Sequence, residues 1–135
     1  MFRLLVAMMT LISASQASAE CVIYRGEYSF EALAHFENGG QVLYDSEYSY
    51  SVLAHIDENV IYKGEYGYTA LAHKESDKVA YEGEFGMTPI AHLKKTSVVF
   101  EGSMSLTPIA HAKNNSCTPG QLLLGAAALR KLGKL

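Results

Sequence analysis

The side chains best suited to chemistry are five histidines, His35, His55, His73, His92 and His111, spaced 18 to 20 residues apart. Each closes the same short phrase, Ala-Leu-Ala-His, Val-Leu-Ala-His or Pro-Ile-Ala-His. Imidazole ligates Zn²⁺ or Cu²⁺ and titrates near physiological pH, so stacked copies would form a metal site or an acid sensor. The competing reading is structural: duplication carried one backbone-bonded histidine into five places. Metal sites recruit a fixed ligand set that breaks repeat symmetry, which favours the structural reading. No cofactor is therefore expected, with zinc or copper at the repeat histidines as the alternative.

Other candidates recur in the same way. Glu27, Glu47, Glu65 and Glu84 occupy one position of the repeat, with Ser103 in the fifth copy. Carboxylate pairs do acid and base work when their surroundings separate their pKa values, yet equivalent positions on a polar strand face read as solvated. Tyr24, Tyr44, Tyr62, Tyr81 and Phe100 form one aromatic row, and Tyr28, Tyr48, Tyr66, Phe85 and Met104 form another. Both rows are expected to fill a small β core, which needs large buried side chains. The chain contains no nucleophile elbow, HExxH pair, phosphate loop or CxxC, and its polar residues come in equivalent sets. These features predict that the protein is not an enzyme.

The elements that must hold these residues are five imperfect copies, 22–41, 42–59, 60–78, 79–97 and 98–116. Repetition at about 19 residues implies a stacked, radial or meander architecture. In the third copy Val60, Tyr62, Tyr66 and Tyr68 share one parity, while Lys63, Glu65 and Thr69 hold the other. Such alternation predicts a strand with its aromatic side buried. Asn38-Gly39, Asp57-Glu58-Asn59, Ser76-Asp77, Thr96-Ser97 and Asn114-Asn115-Ser116 supply turn chemistry between copies. The second half of each copy reads as another short strand. Pro89 and Pro108 leave open a single helical turn in two of the copies.

The two ends of the chain differ from the repeats. Arg3, the apolar run Leu4 to Ile12 and Ala17-Ser18-Ala19 have the order of a secretory leader cut after residue 19, which predicts export to a bacterial periplasm or the exterior. Cys21 and Cys117 flank the repeats and are expected to form one disulfide in an oxidising compartment. Residues 20–119 carry all 14 acidic residues against seven basic ones, a net of −7, so nucleic acid is excluded as a partner. Residues 120–135 carry Arg130, Lys131 and Lys134 and no acid. They project as a basic amphipathic helix, with Leu122, Leu124, Ala128, Leu129, Leu132 and Leu135 on one arc. Such a helix would cap the β domain or meet a partner or an anionic membrane surface through 121–135.

The expected fold is all-β: five strand-turn-strand units in a closed or nearly closed antiparallel hairpin array, plus the C-terminal helix. An open β-solenoid and a five-strand meander are the alternatives. Hairpins return the chain to the end where it started, and closure would let Cys21 meet Cys117, whose Cα atoms must approach within about 7 Å. In layout, a leader followed by five such units, the chain resembles the curlin subunits of bacterial functional amyloid. Tyr, Glu and His stand where those repeats carry regular Gln and Asn, so the resemblance carries no residue role across. The leading functional expectation is a non-enzymatic periplasmic or secreted protein with a structural envelope role or one that binds a glycan, surface polymer or protein. A self-assembling matrix or fibril subunit and a histidine-based metal or pH-responsive protein are the alternatives.

Overall fold

The computed structural model describes residues 20–37, 40–95, 97–113 and 116–135. The expected leader and the turn residues Asn38, Gly39, Thr96, Asn114 and Asn115 lie outside them. Each copy is a hairpin of two short strands. The strands are β1 (Cys21–Arg25), β2 (Ala32–Phe36), β3 (Val42–Asp45), β4 (Val52–Asp57), β5 (Val60–Lys63), β6 (Ala70–Lys74), β7 (Val79–Glu82), β8 (Pro89–Lys95), β9 (Val98–Glu101) and β10 (Pro108–His111). Every strand pairs antiparallel with its sequence neighbours, and β1 pairs with β10, so the sheet closes into a barrel. Pro89 and Pro108 open β8 and β10 as first strand residues, where a missing N–H is tolerated. Cys21 and Cys117 are disulfide-bonded with Cα atoms 4.6 Å apart, as closure requires.

One device recurs in all five hairpins. Ile23 pairs with Ala34, but the next pair is Tyr24 with Ala32, so Leu33 is an extra, bulged residue. Leu53, Leu71, Ile90 and Ile109 are bulged in the same way. All five join the interior cluster or pack against it. A bulge bends its strand and raises the local twist, which is how a sheet of four- to seven-residue strands curls shut.

The inner wall is formed by the directly paired residues Ile23–Ala34, Leu43–Ala54, Ile61–Ala72, Ala80–Ala91 and Val99–Ala110, all fully buried. This reverses the parity expected from sequence. Tyr24, Tyr44, Tyr62, Tyr81 and Phe100 occupy the other parity, on the outer wall, each paired across to a histidine of the neighbouring hairpin. The second expected core row is wrong outright: Tyr28, Tyr48, Tyr66, Phe85 and Met104 are solvent-exposed. The aromatics are outside because the lumen is already occupied.

Its occupant is the C-terminal helix, α1 (Pro119–Lys131), which packs against β1, β2 and β5 through β10. Gln121 to Leu129 are buried on every side, so the surface amphipathic helix expected over 121–135 is corrected to a central plug. The sequence explains this: Leu122-Leu123-Leu124-Gly125-Ala126-Ala127-Ala128-Leu129 is apolar all round, the signature of a buried helix. The six alanines on the wall leave space for it. Burying Leu122, Leu123, Leu124 and Leu129 contributes on the order of 10 kcal/mol at about 1.5–3 kcal/mol each.

Both helix ends are fixed. Thr118 caps the N-terminus in a reciprocal capping box with Gln121, whose side-chain amide also donates to the Gly40 carbonyl at 2.8 Å. At the other end the basic residues meet acids on the barrel rim: Arg130 with Glu101, Lys131 with Glu82 at 2.9 Å and Lys134 with Asp45 at 3.5 Å. Acidic body and basic tail are thus partners of one another. These partly exposed pairs are worth well under about 1 kcal/mol each and chiefly fix the direction of the plug.

Candidate functional site

At the plug's C-terminal end each hairpin turns through a six-residue outer loop, 26–31, 46–51, 64–69, 83–88 or 102–107. The neck of each loop closes with a backbone bond of 2.9–3.0 Å, for example from Arg25 N–H to the Glu31 carbonyl. The first loop residue turns with positive φ: Gly26, Gly64, Gly83 and Gly102 at 61–75°, and Ser46 at 54°. Glycine suits this left-handed backbone because it has no Cβ to clash, and Ser46 is the strained exception.

The histidines lock these turns. The Nδ1–H of His55 donates to the Gly64 carbonyl, that of His73 to Gly83, His92 to Gly102 and His111 to Gly26, each at 2.8 Å, while His35 donates to Ser46 at 2.7 Å. A carbonyl only accepts, so Nδ1 carries the ring proton. The N–H of the same turn residue donates to the carbonyl of the bulged residue in the preceding copy, as Gly26 does to Ile109 at 2.8 Å. Each histidine also stacks on its cross-strand aromatic, with centroids 5.2–5.4 Å apart and planes 21–25° from parallel. Every loop is therefore clamped at its base to the copy before it, and His111 closes the circle onto the first.

This arrangement separates the five expected metal ligands around the outer wall. Among the described residues the structure brings no three histidines together, and each ring already spends Nδ1 on backbone. One mixed group does form, Glu20, His35 and Glu37, whose ligand atoms lie within 4.8 Å of one another. The repeated carboxylates Glu27, Glu47, Glu65 and Glu84 lie in the loops rather than on strand faces. Glu47 sits beside the Tyr48 phenol and, together with a smaller effect of burial, raises its pKa. Burial raises that of Tyr62, assisted by the charge of Glu84 in the following copy's loop.

Beyond their clamped bases the loops carry pairs of large apolar side chains: Tyr28 and Phe30, Tyr48 and Tyr50, Tyr66 and Tyr68, Phe85 and Met87, Met104 and Leu106. All ten are 69–93% exposed. Tyr50 leans edge-on against the His35–Tyr44 stack, with centroids 6.2 and 5.6 Å away. In the fifth copy Met104 and Leu106, with Val79, His92 and Leu93, line an open groove of about 360 Å³ on the outer wall. The sequence displays these side chains in plain view. Alternation of aromatic and polar residues continues unbroken from strand into loop, so the pattern does not separate these exposed side chains from a buried face.

The lumen is filled by Leu122 to Leu129, and the loops hold their large apolar side chains on the outside of the barrel. Comparison with protein-family models, curated proteins and solved structures finds no match to the chain.

Proposed function

We propose that this is an exported, non-enzymatic binding protein that engages a repetitive polymer, most simply a glycan, through its five outer loops. The observation that carries the reading is the display of ten large apolar side chains on turns held rigid from beneath. Soluble proteins rarely expose so much apolar surface without a partner for it. Tyr, Phe and Met beside Glu27, Glu47, Glu65 and Glu84 offer flat apolar faces next to hydrogen-bond acceptors, which suits the alternating C–H and hydroxyl surfaces of sugars. Five equivalent loops fit a ligand that itself repeats, since linked weak contacts gain affinity through effective concentration.

Two features support the wider reading. The Cys21–Cys117 disulfide suits an oxidising compartment. Closure pairs both edges of every described strand, so addition of strands between chains has no edge to start from. The same repetition supports a binding rather than a catalytic role, because large apolar side chains recur at equivalent loop positions instead of converging in one asymmetric constellation.

Co-sedimentation with insoluble polysaccharides tests the proposal. The expected result is retention on at least one polymer, lost in the combined Tyr28→Ala, Tyr48→Ala, Tyr66→Ala variant and only weakened by each single change. Sedimentation no greater than that of an unrelated acidic protein on every polymer, or retention unaffected by the triple change, would refute it.

A further inference from the structure

We propose that Glu20, His35 and Glu37 form a binding site for a divalent cation of the zinc class, built into the first copy alone. His35 is the one repeat histidine that is fully buried, with a side chain 1% exposed. Its Nδ1–H is committed to the Ser46 carbonyl at 2.7 Å, so in the neutral tautomer the Nε2 lone pair is the one left for a cation. That lone pair faces Glu37 Oε2 at 3.5 Å and Glu20 Oε2 at 4.0 Å. With the ring neutral, Nε2 and the two carboxylates are three acceptors converging on one point. A cation satisfies all three, and two carboxylates balance its charge.

The spacing suits such an ion. Ligand atoms about 2.0–2.2 Å from a tetrahedral zinc ion stand roughly 3.4 Å apart. Drawing Glu20 and Glu37 onto the ion takes movements of under about 1 Å from these separations, and both carboxylates are partly exposed and able to adjust. The bond from Nδ1–H to a backbone carbonyl is also the usual outer support of a metal-bound histidine, since it fixes both tautomer and ring orientation. The fourth coordination position would hold water.

The third copy supplies an internal comparison. Glu58, His73 and Glu75 stand at the same repeat positions, yet they do not form such a group. Glu58 lies in the β4–β5 turn with φ 58°, whereas Glu20 immediately precedes disulfide-bonded Cys21, whose partner across the strands is Phe36 beside Glu37. The fourth and fifth copies place Lys94 and Lys113 where the first has Glu37. The disulfide-anchored start of the barrel therefore distinguishes the first copy from the third, and the lysines distinguish it from the fourth and fifth.

The test is calorimetric titration of chelator-stripped protein with Zn²⁺, joined to ¹⁵N NMR of the imidazoles. The expected result is one Zn²⁺ per chain, bound at least about tenfold more weakly by Glu20→Gln and by Glu37→Gln. Glu75→Gln should leave binding unchanged. On adding Zn²⁺ the His35 Nε2 resonance should move while its Nδ1 remains protonated. Absence of stoichiometric binding, binding indifferent to Glu20→Gln and Glu37→Gln, or a proton retained on His35 Nε2 with Zn²⁺ present would overturn the proposal. Both glutamates are partly exposed, so these variants keep the fold and its buried histidine intact.

Discussion

Replacing Gly125 with alanine gives opposite outcomes for a helix inside the barrel and one on its surface. On a surface helix the change removes the least favourable ordinary residue and stabilises by about 1 kcal/mol. Inside the barrel the new Cβ would stand 2.6 Å from Ile23 Cδ1 and 3.1 Å from Phe36 Cε2, both on fully buried side chains. Overpacking of this kind costs about 1–3 kcal/mol, which outweighs the gain in helix propensity. The expected net loss is about 1 kcal/mol, or roughly 4 °C in Tm for a chain of this size. Ile23→Val deletes the clashing methyl and alone costs about 1 kcal/mol. The Gly125→Ala, Ile23→Val double variant should then lose about 1 kcal/mol less than the sum of the two single losses. Urea unfolding of the four proteins measures the cycle. A more stable Gly125→Ala protein, or strict additivity, would refute the placement of the plug.

Three further outcomes follow from the geometry. Removing the disulfide by Cys21→Ser with Cys117→Ser frees a 96-residue loop and should cost about 4–5 kcal/mol in denaturant unfolding; a loss below about 1 kcal/mol would mean that the barrel closes without it. Ser46→Gly relieves the non-glycine turn at φ 54° and should raise stability by about 0.5–1 kcal/mol after allowing for the freer unfolded chain, whereas a fall in Tm would contradict the strain argument. The Tyr48 phenol is held above its ordinary pKa chiefly by Glu47, so the folded state retains that proton longer than the unfolded chain and its stability declines as pH rises past about 10. Glu47→Gln should lower the Tyr48 ionisation followed by NMR and leave Tyr62, raised chiefly by burial, where it was.

Much of this architecture is written in the repeat itself. Strand alternation, the turns between copies and the flanking cysteines together imply hairpins that close, and the barrel follows from them. The inward parity was harder to read. Ile23, Leu43 and Ile61 each lie between a valine and a tyrosine that look equally fit for a core, and only the presence of α1 in the lumen decides which side is inside. The bulged Leu33 and its four equivalents leave no local signal, because one extra residue in a short strand does not disturb the hydrophobic pattern. The tail carried its answer in Leu123, Ala126 and Ala127, which make the helix apolar opposite its expected face as well as on it. Histidine recurrence suggested either metal or backbone. The turn-locking bonds realise the second, and among the described residues the first copy adds a pair of carboxylates within reach.

Clamped loop bases and a filled lumen describe a frame held rigid from within so that its outer loop tips stay free for contact. Native-state hydrogen exchange resolved by residue measures this most directly. The amides of Leu122 to Leu129 should exchange only through global unfolding, with the same free energy and denaturant dependence as those of Ala34 and Ala72, while the tip amides of Tyr28, Tyr48 and Tyr66 exchange orders of magnitude faster. Exchange of the helix through a separate opening, several kcal/mol below the global value, would show that α1 is a detachable element and contradict the account.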